Sequence, residues 1–215
     1  VELLTLLCAA QNSSGEIDMR LISAVICAGL IAASFATIPR ADATTVKHFD
    51  LGHLTASAGR VFRGTVTDVR PGTVKVGGGQ LATTIYRIRV TETFKGEFAT
   101  FKNITYADVE MIGSLKADSE GSGVRHFSVF RDMPRLERGR DYLMFLTTES
   151  SVALSSPVGL AQGLFEIDTS IPSQPTANRL NNAGLDADVA KGPLPYTELA
   201  NRVRAIVAAQ EGDKR

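Results

Sequence analysis

The side chains that could do chemistry are few and scattered. The chain holds three histidines (His48, His53 and His126), two cysteines (Cys8 and Cys27) and no tryptophan. His48 and His53 are five apart, which on a helix separates them by about 140° and denies them a shared metal. Asp118 and Glu120 fall in a Gly/Ser-rich stretch, and Asp186 and Asp188 in one rich in Pro, Gly and Asn. Calcium takes roughly 6–8 oxygen ligands, and neither pair has the regular spacing of a calcium loop. No H-E-x-x-H, G-x-S-x-G or G-x-x-x-x-G-K-[ST] occurs, so zinc-protease, α/β-hydrolase and P-loop chemistry find no support. Gly77-Gly78-Gly79 lacks the following helix and basic residue of a phosphate cradle and fits a hairpin connection. No catalytic residue, metal or cofactor is expected.

What remains is a set of arginines. Arg87 and Arg89 are two apart in an alternating segment, with Arg63 on a neighbouring one, so the three form a basic stripe suited to an oligonucleotide on a barrel face. Against that partner stand 23 Lys plus Arg balanced by 23 Asp plus Glu and the lack of any tryptophan for base stacking. Nucleic acid is therefore not expected, and cross-strand pairing with acidic neighbours such as Asp68 or Glu92 accounts for the arginines. Arg63, Arg87 and Arg89 stay as candidate binding residues for a protein partner.

The domain that must position these residues lies behind an address. Met19-Arg20, the uncharged run Leu21 to Ile38 and the triplet Ala41-Asp42-Ala43 are the parts of a secretory signal peptide over 19–43, cleaved before Thr44. Eighteen residues also lie at the lower edge of what spans a bilayer, but the run is diluted by Ala, Ser, Gly and Thr and ends at Pro39. Residues 1–18 carry Glu2, Glu16 and Asp18 and no Lys or Arg, the opposite of a basic leader. With Val1 matching a non-ATG start codon of a bacterial gene, they are expected to be a misassigned upstream extension, translation starting at Met19. The expected protein is exported, periplasmic or extracellular, and slightly basic. It is also free of cysteine, because Cys8 and Cys27 both lie in the removed part, which excludes disulfides and thiolate chemistry.

The elements after Thr44 are mainly β. A lead-in and short helix are expected over 44–60, with Asp50 as cap and Leu51, Leu54 and Ala58 on one face. Strands are expected at 61–70, at 83–94 where Tyr86, Ile88, Val90 and Phe94 alternate with polar residues, at 101–112, at 142–146, at 152–154 and at 163–167. Five consecutive apolar residues from Tyr142 to Leu146 predict a strand buried on both sides. Residues 168–192 look like a linker, and Leu199, Val203, Ile206 and Val207 place an amphipathic helix over about 196–210 within the closing segment 193–215. Five or six strands over 61–167 imply an all-β sandwich or barrel.

The succession VFRGTVTDVR, TIYRIRVTETFKGE, PRLERGRDYLMFL and GLAQGLFEI, over about Val61 to Ile167, resembles bacterial exported proteins similar to the inhibitory domain of tissue inhibitors of metalloproteinases and to the netrin module. The resemblance implies an OB-like five-stranded barrel. The animal inhibitors chelate a protease zinc through the amine and carbonyl of an N-terminal cysteine held by disulfides. By that analogy the amine and carbonyl of Thr44 would chelate, and Thr45 would face the substrate pocket, with no disulfide to hold them. The expectation is a non-catalytic module for protein–protein contact, of which metalloprotease inhibition is one form. The alternatives are an enzyme using carboxylates as general acid and base and a structural component of the envelope.

Overall fold

The computed structural model describes residues 48–114, 133–189 and 191–213. The expected upstream extension, the signal peptide, Thr44, Thr45, Asp118, Glu120 and His126 lie outside the described residues.

Asp50 opens the first element. Its carboxylate accepts the backbone N–H of His53 at 2.7 Å and caps helix α1, Leu51–Ser57, whose Leu51 and Leu54 are buried. His53 Nδ1 lies 2.7 Å from the same carboxylate. The bonds from His53 hold Asp50 below the usual carboxylate pKa, so its contribution is full above the ordinary aspartate range and is lost as pH falls through the lowered value. Asp50→Ala is expected to cost about 1 kcal/mol at neutral pH. Asp50→Asn should retain the cap and remove its acid sensitivity, as urea unfolding at pH 7 and pH 3 would show.

Two long strands come next, β1 (Arg60–Val76) and β2 (Gly79–Lys95), joined through Gly77 and Gly78 at φ 58° and 82°. Positive φ at both positions is what a two-residue hairpin loop requires. After them run β3 (Ala99–Phe101), β4 (Ile104–Ile112), β5 (Asp141–Leu146), β6 (Leu164–Ile167), β7 (Pro175–Asn178) and β8 (Leu194–Pro195), and finally α2 (Tyr196–Gly212). The strands form one antiparallel sheet in the order β3-β4-β2-β1-β5-β6-β7-β8.

The mainly β expectation holds, but the five- to six-stranded closed barrel does not: among the described residues the sheet has eight strands and is open. The reason lies at 152–154, expected as a strand. Ala153 has φ 61°, its N–H bonds to Ser150 O, and Ser150 Oγ accepts from Leu154 N. This tight turn leaves a single parallel bridge, Glu110 to Leu154, where a closing ladder would run. The stretch expected as a linker is also folded. It supplies β7, and Leu185 is buried beside α1, its carbonyl accepting the Leu51 N–H at 2.8 Å.

Both faces of the sheet are covered around β5. Leu143 and Phe145 join Val61, Phe165, Leu51, Leu54, Leu199 and Val203 beneath the two helices. Tyr142, Met144 and Leu146 join Phe62, Val66, Tyr86, Ile88 and Val109 on the other side. Three register shifts between β1 and β2 bend the sheet around that second cluster. Gly64 sits at one of them, where an added Cβ would lie 2.6 Å from the Arg89 carbonyl oxygen. Gly64→Ala should therefore lower stability by about 1–3 kcal/mol, measured as a lower urea midpoint at unchanged slope.

Candidate binding surface

Facing partners in an antiparallel ladder share a face, so the register places the candidate arginines. Arg63 lies opposite Leu143, Arg89 opposite Thr65 and Tyr106, and Arg87 opposite Asp68 and Asp108. All three are on the face that carries the helices, but their surroundings differ.

Arg63 is consumed by the architecture. Its Nε and Nη2 donate to Asp141 Oδ2 at 3.0 and 2.7 Å, and its Nη1 donates to Gln174 Oε1 at 3.1 Å. Thr65 Oγ1 donates to the other Asp141 oxygen at 2.5 Å, and the Arg63 guanidinium lies 4.2 Å from the centroid of the Tyr196 ring. Tyr196 in turn donates to Glu92, which Arg204 from α2 also pairs. Burial, and then the bond to Glu92, push the Tyr196 hydroxyl pKa well above its ordinary value, so it stays protonated. With the Arg63 and Asp141 side chains only 15% and 11% exposed, this network ties β1, β2, β5 and α2 together.

Arg87 and Arg89 lie on the uncovered part of the face. Arg87 makes a bidentate pair with Asp108, at 2.9 and 2.8 Å, with about half of each side chain exposed. That guanidinium draws the Asp108 carboxyl below the usual range. Arg89 is exposed and has no ion-pair partner among the described residues. The carboxylate partners are thus Asp141 and Asp108, more distant in sequence than the expected Glu92 and Asp68. The three arginines do not form one basic stripe, since Arg63 is tied beneath α2.

The sequence also conceals a feature inside the strand expected at 101–112. Lys102 and Asn103 have φ 49° and 62° and form the two-residue turn of a β3–β4 hairpin. Its tip exposes Phe101 at 67% and Ile104 at 40%. The asparagine was the available signal, but Lys-Asn lacks the glycine that marks such turns most strongly.

Two of the larger grooves on the described residues bear on function. One, about 550 Å³, lies between Met133–Glu137 and β6–β7; Glu137 and Glu166 line it with Tyr142. These carboxylates are 72% and 54% exposed and both lie beside Arg140. The other, about 670 Å³, is lined by Phe98, Phe101 and Tyr106 and by the charged residues Arg60, Arg87, Glu97, Asp108 and Glu149. Among the described residues no group of three or more His, Cys, Asp or Glu is placed to hold a metal, and no helix is long and apolar enough to cross a membrane.

Comparison with protein-family models, with curated proteins and with solved structures finds no match to this chain.

Proposed function

We propose that this chain is an exported, non-catalytic binding module that acts by protein–protein contact in the cell envelope or outside the cell. The observation that carries this reading is the β3–β4 hairpin, which holds Phe101 and Ile104 out to solvent on a hydrogen-bonded turn at an open sheet edge. Exposed apolar side chains grouped on a rigid element suit a partner surface. The signal-like segment at 19–43 and the resemblance to the metalloproteinase-inhibitor and netrin domains supply the exported setting. Inhibition of a secreted zinc protease is the narrow form of the reading and rests on Thr44 and Thr45.

The test is capture of exported proteins on the immobilised chain beginning at Thr44, run beside Phe101→Ser/Ile104→Ser. A protein retained by the first and lost from the second, at equal thermal stability, is the expected result. Equal retention, or none, would remove the hairpin as the binding element. Failure to slow any member of a panel of secreted zinc proteases would remove the narrow form.

One observation favours a rival, a carboxylate enzyme: Glu137 and Glu166 line a common groove. If a hydrolytic activity were found, Glu137→Gln and Glu166→Gln would each have to reduce kcat at least tenfold for the groove to be its site.

A further inference from the structure

Strand β3 ends the sheet, and the geometry of its hairpin decides which of its groups face outward. With a two-residue turn, Phe101 and Ile104 close the loop by exchanging both backbone hydrogen bonds. Hydrogen-bonded and non-hydrogen-bonded pairs alternate along an antiparallel ladder, so Thr100 and Thr105 form a non-hydrogen-bonded pair. The Thr100 N–H and C=O therefore point away from β4, where no strand among the described residues pairs with them.

The 670 Å³ groove draws part of its lining from this strand, Ala99 and Phe101, and part from the residues leading into it, Glu97 and Phe98. Its charges are almost balanced internally. Arg60 Nη2 lies 2.8 Å from Glu149 Oε1, and Arg87 holds Asp108. Glu97, also exposed, is the lining charge left without an ion-pair partner among the described residues. The aromatic ring at the tip already receives a cation: Lys102 Nζ lies 5.4 Å from the Phe101 centroid.

Building on the binding-module reading, we propose that the free edge of β3 takes up an extended, basic peptide segment of a protein partner as a ninth strand. Main-chain bonds to Thr100 fix the segment. A lysine or arginine of the segment completes the charge of Glu97, and its aliphatic stem lies against Phe98 and Phe101. Main-chain pairing supplies affinity in this mode of recognition and alternate side chains supply selectivity. An acidic segment would meet Glu97 unpaired and be rejected.

The experiment is a titration of the isotope-labelled chain, followed by amide chemical shifts, with two acetylated and amidated heptapeptides. One alternates valine with lysine and the other valine with glutamate. The lysine peptide should shift the amides of residues 97–108, with binding weakened at least tenfold by Glu97→Lys and abolished by Thr100→Pro. Both variants should unfold at the wild-type temperature; if Thr100→Pro does not, Glu97→Lys alone decides. Equal binding of both peptides, shifts confined to other residues, or no shift with the lysine peptide at millimolar concentration would overturn the proposal. The wider reading fails separately: a partner captured equally by wild type and by Glu97→Lys leaves the chain a binding module and removes this edge as its site.

Discussion

Asp141→Ala is expected to lower the unfolding free energy by about 3 kcal/mol, the lower end of the cost of breaking a buried ion pair by removing one partner, because the pair is largely but not fully buried. The Arg63 guanidinium would keep Gln174 and the Tyr196 ring but lose its carboxylate, in surroundings that leave its side chain 15% exposed. Thr65 would lose the acceptor of its hydroxyl as well. Domains are stable by roughly 5–15 kcal/mol, so this one change should consume a large share and expose the chain to proteolysis at moderate temperature. Removing both charges with Arg63→Met and Asp141→Leu should recover most of the loss, since no charge is then stranded. Urea unfolding of the two single variants and the double variant measures this coupling. A loss under about 1 kcal/mol for Asp141→Ala would show that water reaches the pair and screens it.

Phe145→Ala should cost a similar amount, about 3–5 kcal/mol, for a different reason. Phe145 is fully buried, and its ring lies 5.6 Å from that of Phe165. Its cluster is the one that joins the sheet to α1 and α2 through Leu51, Leu54, Leu199 and Val203. Truncation leaves a cavity between layers that cannot close without moving a helix. The far-ultraviolet circular dichroism signal should survive at low temperature while the urea midpoint falls. Phe101→Ser is the contrasting case: that side chain is 67% exposed, and its loss should change stability by no more than about 0.5 kcal/mol. If Phe101→Ser destabilised the fold as Phe145→Ala does, the hairpin tip would be structural and its assignment as a binding element would fall.

The elements legible in the sequence were those whose determinants are local. Asp50 caps α1 because its carboxylate reaches an amide three residues on. The unbroken apolar run at 142–146 announced two-sided burial, and β5 delivers it by sending alternate side chains to two clusters. The spacing of Leu199, Val203 and Val207 gave α2 its buried face. The stretch 168–192 was illegible because its contacts are made by isolated residues. Asn178 and Asn182 satisfy each other's neighbourhood by backbone bonds, with Asn178 N donating to Asn182 Oδ1 and Asn182 N to Asn178 Oδ1. Buried amides of this kind carry no hydrophobic periodicity to be read.

By itself the sequence determined that this protein is mainly β, with a helix before the sheet and a helix after it among the described residues, because hydrophobic periodicity and capping act over a few residues. It also placed arginines at 63, 87 and 89. Only the tertiary structure decided what each arginine does, since their partners lie 78 positions away for Arg63 and 21 for Arg87. The structure likewise decided that the sheet stays open. Closure depends on whether a ladder forms between β4 and the segment after β5, and the turn at Ser150–Leu154 allows a single bridge. An open sheet has edges, and an edge offers unpaired backbone groups to another chain. Thr100 lies on such an edge, and which strand ends the sheet is a long-range outcome that no local pattern encodes.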